Sequence, residues 1–115
     1  MTLEALIEQI GAGKVASVSW SIQPEIGPGW IGGERSITVR IGDRVLAEGA
    51  EALVRLDAAL VAREVIPAEP CDSMLSGEGT LRVEDGQLVL DYAWSDTPVY
   101  QFGAAGHAAV VLMDV

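Results

Sequence analysis

Apolar and polar residues alternate most cleanly over Ala16–Ile22. Ala16, Val18, Trp20 and Ile22 fall on one side of an extended chain and Ser17, Ser19 and Ser21 on the other. The pattern predicts a strand with one face in the core and a polar, uncharged opposite face, ended by Pro24. The same period runs through Gly79–Tyr92, broken only by Asp85-Gly86, a pair that tolerates the positive φ angles of a type I′ turn. A two-residue loop there sets Glu84 against Gln87, Val83 against Leu88, Arg82 against Val89 and Leu81 against Leu90. Leu81, Val83, Leu88 and Leu90 then share a face. Continuing the alternation brings Tyr92 and Trp94 to it, with the Tyr92 ring over Gly79. A second hairpin is expected over Ser36–Glu48, where Ile37, Val39 and Ile41 alternate. A three-residue loop, Gly42-Asp43-Arg44, keeps its faces consistent by pairing Ile41 with Val45, whereas a two-residue loop would set Ile41 against Arg44.

Two segments carry the helical period instead. Leu3, Leu6, Ile7 and Ile10 recur at i, i+3, i+4 and i+7 over residues 2–10, with Thr2 as cap and Gly11 as stop. Ala50–Glu64 is rich in strong helix formers, with Leu53, Leu56 and Leu60 as its buried stripe and Glu51–Arg55 as an i, i+4 pair. Asp57 interrupts that stripe, flanked on the wheel by Leu53, Val54, Leu60 and Val61. A carboxylate so placed needs an ion pair, a hydrogen bond or a wet edge, for which Arg40 and Arg82 are candidate partners. Pro67 and Pro70 end the helix in a connector over Ile66–Ser76 that holds the single cysteine, Cys71. After the central hairpin, Ser95-Asp96-Thr97-Pro98 reads as a turn and Val99–Phe102 as a strand. Gly103–Gly106 reads as an interruption and His107–Val115 as a last apolar strand.

These elements predict a single α+β domain over residues 1–115. Its antiparallel sheet has six to seven strands and at least two hairpins, and two amphipathic helices pack on one face. The expected core comprises Leu3, Leu6, Ile7, Ile10, Val18, Trp20, Ile37, Val39, Leu53, Leu56, Leu60, Leu81, Val83, Leu88, Leu90, Trp94 and Val110. Half of the 115 residues are hydrophobic, enough for one core, and no apolar run is long enough to span a bilayer. With one cysteine, no internal disulfide and no secretory leader pattern, the expected location is the cytoplasm.

Charge changes the picture. Seventeen acidic residues against seven basic ones leave a net charge of −10, which repels nucleic acid and anionic membranes and attracts basic partners. Catalytic signatures are missing. The one histidine, His107, follows no nucleophile elbow, and one histidine with one cysteine does not make a zinc site. The acidic residues lack calcium-loop spacing, so no metal, cofactor or catalytic residue is assigned. Glu34 with Glu78, and Asp91 with Asp96, are the carboxylate pairs available for acid–base work.

The expected function is therefore a non-catalytic acidic binding protein, of the immunity or antitoxin type, that inhibits a basic protein. A small enzyme or ligand-binding domain is the alternative, with a pocket near Trp30, Asp57, Trp94 and His107. Trp30 sits in the glycine-rich run Glu25–Glu34, which suits either a binding loop with an aromatic anchor or a long hairpin connection. A third reading is a homo-oligomeric module in which the C-terminal strand forms a homodimer.

Overall fold

The computed structural model describes residues 1–24, 33–70, 72–98 and 101–115. Trp30, Cys71 and the Val99-Tyr100 part of the expected strand lie outside the described residues. In chain order the elements are α1 (Leu3–Gly11), β1 (Ala16–Ile22), β2 (Arg35–Ile41), β3 (Arg44–Val45), α2 (Glu51–Ala62), β4 (Ser73–Glu84), β5 (Gln87–Pro98) and β6 (Ala104–Asp114). The strands form one antiparallel sheet in the order β3-β2-β1-β4-β5-β6. Two helices on a six-stranded antiparallel sheet make the α+β domain that the patterning predicts.

The central reversal has the expected chemistry. Asp85 and Gly86 both take positive φ, 50° and 74°, and the ladder pairs Glu84 with Gln87, Leu81 with Leu90 and Gly79 with Tyr92. One face of the sheet carries Ala16, Val18, Trp20 and Ile22 from β1, Val39 and Ile41 from β2, Leu81 from β4, and Leu88 and Leu90 from β5. These pack with Leu3 and Leu6 of α1 and Ala52, Leu56 and Leu60 of α2 in one buried cluster. Thr2 caps α1 by accepting from the Ala5 N–H at 3.1 Å. Arg55 ties the helices together, donating to Glu4 at 2.8 Å and to Glu51 at 3.4 Å.

Four details differ from the expectation. The β2–β3 loop has two residues, pairing Ile41 with Arg44. Gly42 takes the positive φ (58°), and because β3 ends after Val45, the mixing of faces costs only two exposed residues. Val83 is 39% exposed, although Leu81, Leu88 and Leu90 are buried. It lies one pair from the turn, on the outer strand side of its fully buried partner Leu88. Ser95–Pro98 is not a turn: β5 continues through it, pairing Leu75 with Asp96 and Ser73 with Pro98. Proline is tolerated there because it closes the strand. Finally, β6 starts at Ala104 and runs straight through Gly106, while Gln101 and Phe102 lie outside any strand.

Gly106 falls in the expected interruption, yet it and Gly77 serve packing. A Cβ on Gly106 would lie 2.9 Å from the Trp94 ring, and one on Gly77 would lie 2.2 Å from the Trp20 ring. The indoles therefore lie flat across neighbouring strands at positions that no other residue type leaves open.

Candidate functional site

Strand and helix lengths create the site. Twelve-residue strands extend about 40 Å at ~3.3 Å per residue, whereas the twelve residues of α2 cover about 18 Å at 1.5 Å per residue. One end of the sheet's inner face therefore outruns the helices. There a recess of about 560 Å³ opens between the sheet and the C-terminal end of α2. Trp20, Leu75, Tyr92 and Trp94 line it from the sheet, and Val61, Glu64 and Pro67 from the helix end. Trp20 meets Tyr92 edge to face, with ring centroids 5.7 Å apart and planes at 60°.

Two carboxylates and no basic side chain line the recess among the described residues. Asp96 enters through β5, on the same side of the strand as Tyr92 and Trp94. Its Oδ1 is shielded from solvent and has no hydrogen-bond partner among the described residues. Such an atom costs about 1–3 kcal/mol unless a donor reaches it. Glu64 enters through the helix stop. The Val65 N–H donates to the Leu60 carbonyl at 2.9 Å and the Glu64 N–H to the Val61 carbonyl at 3.0 Å, a Schellman arrangement with Glu64 in the left-handed position (φ 59°). Glycine usually occupies that position, so a glutamate there stores roughly 1 kcal/mol of backbone strain. The last turn of α2 has no basic residue, so the negative end of its dipole adds to both carboxylates.

Asp57 stands on the α2 face beside the recess without lining it. Arg35 grips it with both guanidinium nitrogens, Nη1 to Oδ2 at 2.8 Å and Nη2 to Oδ1 at 2.6 Å, and donates Nε to the Pro67 carbonyl at 3.0 Å. The hydrogen bond to Asp57 raises the Arg35 pKa above its ordinary value. The ion-pair reading of Asp57 holds, with Arg35 as partner instead of Arg40 or Arg82. Arg82 is taken up on the other face by Glu84 and by Asp91, the latter at 2.6 Å.

Of the residues singled out in the sequence, the structure brings Trp94 into the recess and sets Asp57 next to it. His107 pairs with Ala93 and lies on the opposite face of the sheet, exposed. Asp91 and Asp96 are likewise on opposite faces, which separates that carboxylate pair. The opposite face is a wall of short polar side chains, with Ser21 between Ser36 and Ser76, Ser19 between Thr38 and Glu78, and the Ser76 and Ser95 hydroxyls 2.6 Å apart. Sequence reasoning missed Glu64 and Asp96 as a pair. Period-2 alternation from Leu88 through Trp94 points to Asp96, but the Ser-Asp-Thr-Pro composition suggests a turn. No group of three or more histidine, cysteine or acidic side chains suits a metal among the described residues, and none of their helices is long and apolar enough to cross a membrane.

Searches against family models, curated proteins and solved structures return no match to this chain.

Proposed function

We propose that this protein is a non-catalytic binding protein of the cytoplasm whose partner is basic, in the manner of an immunity protein or antitoxin that masks a cationic surface. The observation that carries the reading is where the few basic groups are spent. Arg35, Arg55 and Arg82 are engaged by Asp57, Glu4, Glu51, Glu84 and Asp91. The other four basic residues stand against the other twelve acidic ones, so a surplus of eight negative charges is left outside these ion pairs. Such a field accelerates encounter with a cationic protein and is screened by salt. The test is capture of partners from a lysate at low and at high ionic strength. Basic partners released by roughly 0.5 M salt, where the screening length falls to a few ångströms, support the reading. Partners of neutral or acidic character held equally at both salts refute it.

A second reading is favoured by β6. It is a sheet edge eleven residues long with no lysine, arginine or proline, whereas the other edge, β3, has two residues and begins with Arg44. Long bare edges pair with other strands, and a second copy would extend the sheet antiparallel through β6. Two chains of charge −10 repel, so this homodimer tightens with added salt, opposite in sign to capture of a basic partner. Sedimentation across a salt series measures it. A monomer at every salt and concentration removes it.

A further inference from the structure

We infer that the recess at the C-terminal end of α2 is a binding site for an arginine guanidinium, supplied by the basic partner proposed above. The identification of the side chain rests on that reading, but the recess is testable without the partner. Three features converge. The floor is aromatic: Trp20, Tyr92 and Trp94 line one recess, and a planar delocalised cation stacks on such rings. The rim is acidic, with the Asp96 and Glu64 side chains and the carbonyl end of α2 all favouring positive charge. Neutralisation from within is weak. No basic side chain lines the recess among the described residues: Arg35 beside it commits Nη1 and Nη2 to Asp57 and Nε to Pro67, and Arg63, at the C-cap of α2 next to Glu64, is exposed.

Arginine fits better than lysine for reasons of shape and hydration. A guanidinium can lie flat on an indole while its edge donates in parallel to a carboxylate, and it is shed from water more readily than an ammonium. The apolar walls, Val61 and Leu75, accept the aliphatic stem of such a side chain. Glu64 supplies an independent sign of use. Its left-handed backbone would be more stable as glycine, and the side chain that glycine would remove is one that lines the recess.

The experiment titrates the ¹⁵N-labelled full chain with N-acetyl-arginine amide, N-acetyl-lysine amide and the uncharged citrulline amide, following the indole N–H signals. The Trp94 signal is identified by Trp94→Phe. A saturable Trp94 shift is expected with the arginine amide at about 10 mM or below, the range of a single weak contact. The shift should be several-fold weaker with lysine and absent with citrulline. Asp96→Asn should weaken arginine binding at least fivefold. Glu64→Gly should weaken it while leaving the melting temperature equal or higher, which separates loss of the site from loss of the fold. No saturation, equal binding of citrulline or lysine, or unchanged affinity in both variants overturns the assignment. A partner captured with steep salt dependence but indifferent to Asp96→Asn would leave the basic-partner reading standing and remove the recess from it.

Discussion

Replacing Gly77 by alanine is the sharpest probe of how the sheet carries its indoles. The new Cβ would sit 2.2 and 2.4 Å from the Cζ2 and Cε2 atoms of Trp20 and 2.8 Å from the Ala93 carbonyl oxygen. Ordinary carbon–carbon contacts are ~3.5–4.0 Å, so the ring must move by more than an ångström or the strands must part. Trp20 is 5% exposed and braced edge-on by Tyr92, so the ring can yield only by breaking that contact and swinging toward the recess. Overpacking of this kind costs typically 1–3 kcal/mol, and a backbone oxygen on the other side puts this site near the top, at about 3 kcal/mol. For a chain of this length, at about 4 °C per kcal/mol, the melting temperature should fall by roughly 12 °C. Urea unfolding followed by circular dichroism and tryptophan fluorescence measures the loss. Trp20→Leu opens the same space, so Gly77→Ala combined with it should cost about 2 kcal/mol less than the sum of the two single changes. Gly11→Ala is the control. It ends α1, its Cβ meets nothing within 4 Å, and its effect should be neutral or slightly stabilising. A Gly77→Ala loss below about 0.5 kcal/mol, or strict additivity with Trp20→Leu, would refute the packing argument.

Asp57→Asn leaves the Arg35 guanidinium, whose side chain is 18% exposed, without its carboxylate. The loss should be about 2 kcal/mol by chemical denaturation, between the values for exposed and fully buried pairs, and adding Arg35→Met to Asp57→Asn should recover part of it. Glu4 is held below its ordinary pKa of 4.5, first by a hydrogen bond from its own backbone N–H and then by Arg55. A lowered carboxylate contributes stability above its unfolded pKa and loses it as pH falls through the folded value. Glu4→Gln should therefore flatten stability against pH below 4.5 and leave the shape near neutrality unchanged, as thermal melts across pH will show. Val83→Thr should change stability by less than about 0.5 kcal/mol, because the Val83 side chain is already exposed while its partner Leu88 stays buried.

Fold class was readable because three independent signals agree along most of the chain. Period-2 alternation over Ala16–Ile22, the Asp85-Gly86 turn and the helical stripe of α2 each survive in the structure with nearly the expected bounds. The misreadings share a cause. Ser95-Asp96-Thr97-Pro98 and Gly103–Gly106 have turn composition, but their backbones are recruited by ladders already running through β4 and β5. Gly106 is small because Trp94 lies over it, a requirement imposed from a neighbouring strand and invisible in local propensity. The partner of Asp57 was illegible for a related reason. Arg35 lies 22 residues away at the first position of β2, and only the packing of α2 onto the sheet brings the two together.

The candidate site follows from that same long-range geometry. Strands that outrun their helices leave an aromatic inner face without helix cover, and the helix end nearest it is electronegative through its carbonyls, Glu64 and Asp96. A chain optimised only for stability would set glycine at position 64 and give the Asp96 oxygen a donor. Here it does neither among the described residues, although elsewhere it pairs Asp57, Glu4 and Asp91 with arginines. Gln9 Oε1 on α1 also lacks a donor among the described residues, so what sets the recess apart is that a strained Glu64, a second carboxylate and an aromatic floor meet there, where a group from outside the chain has something to add.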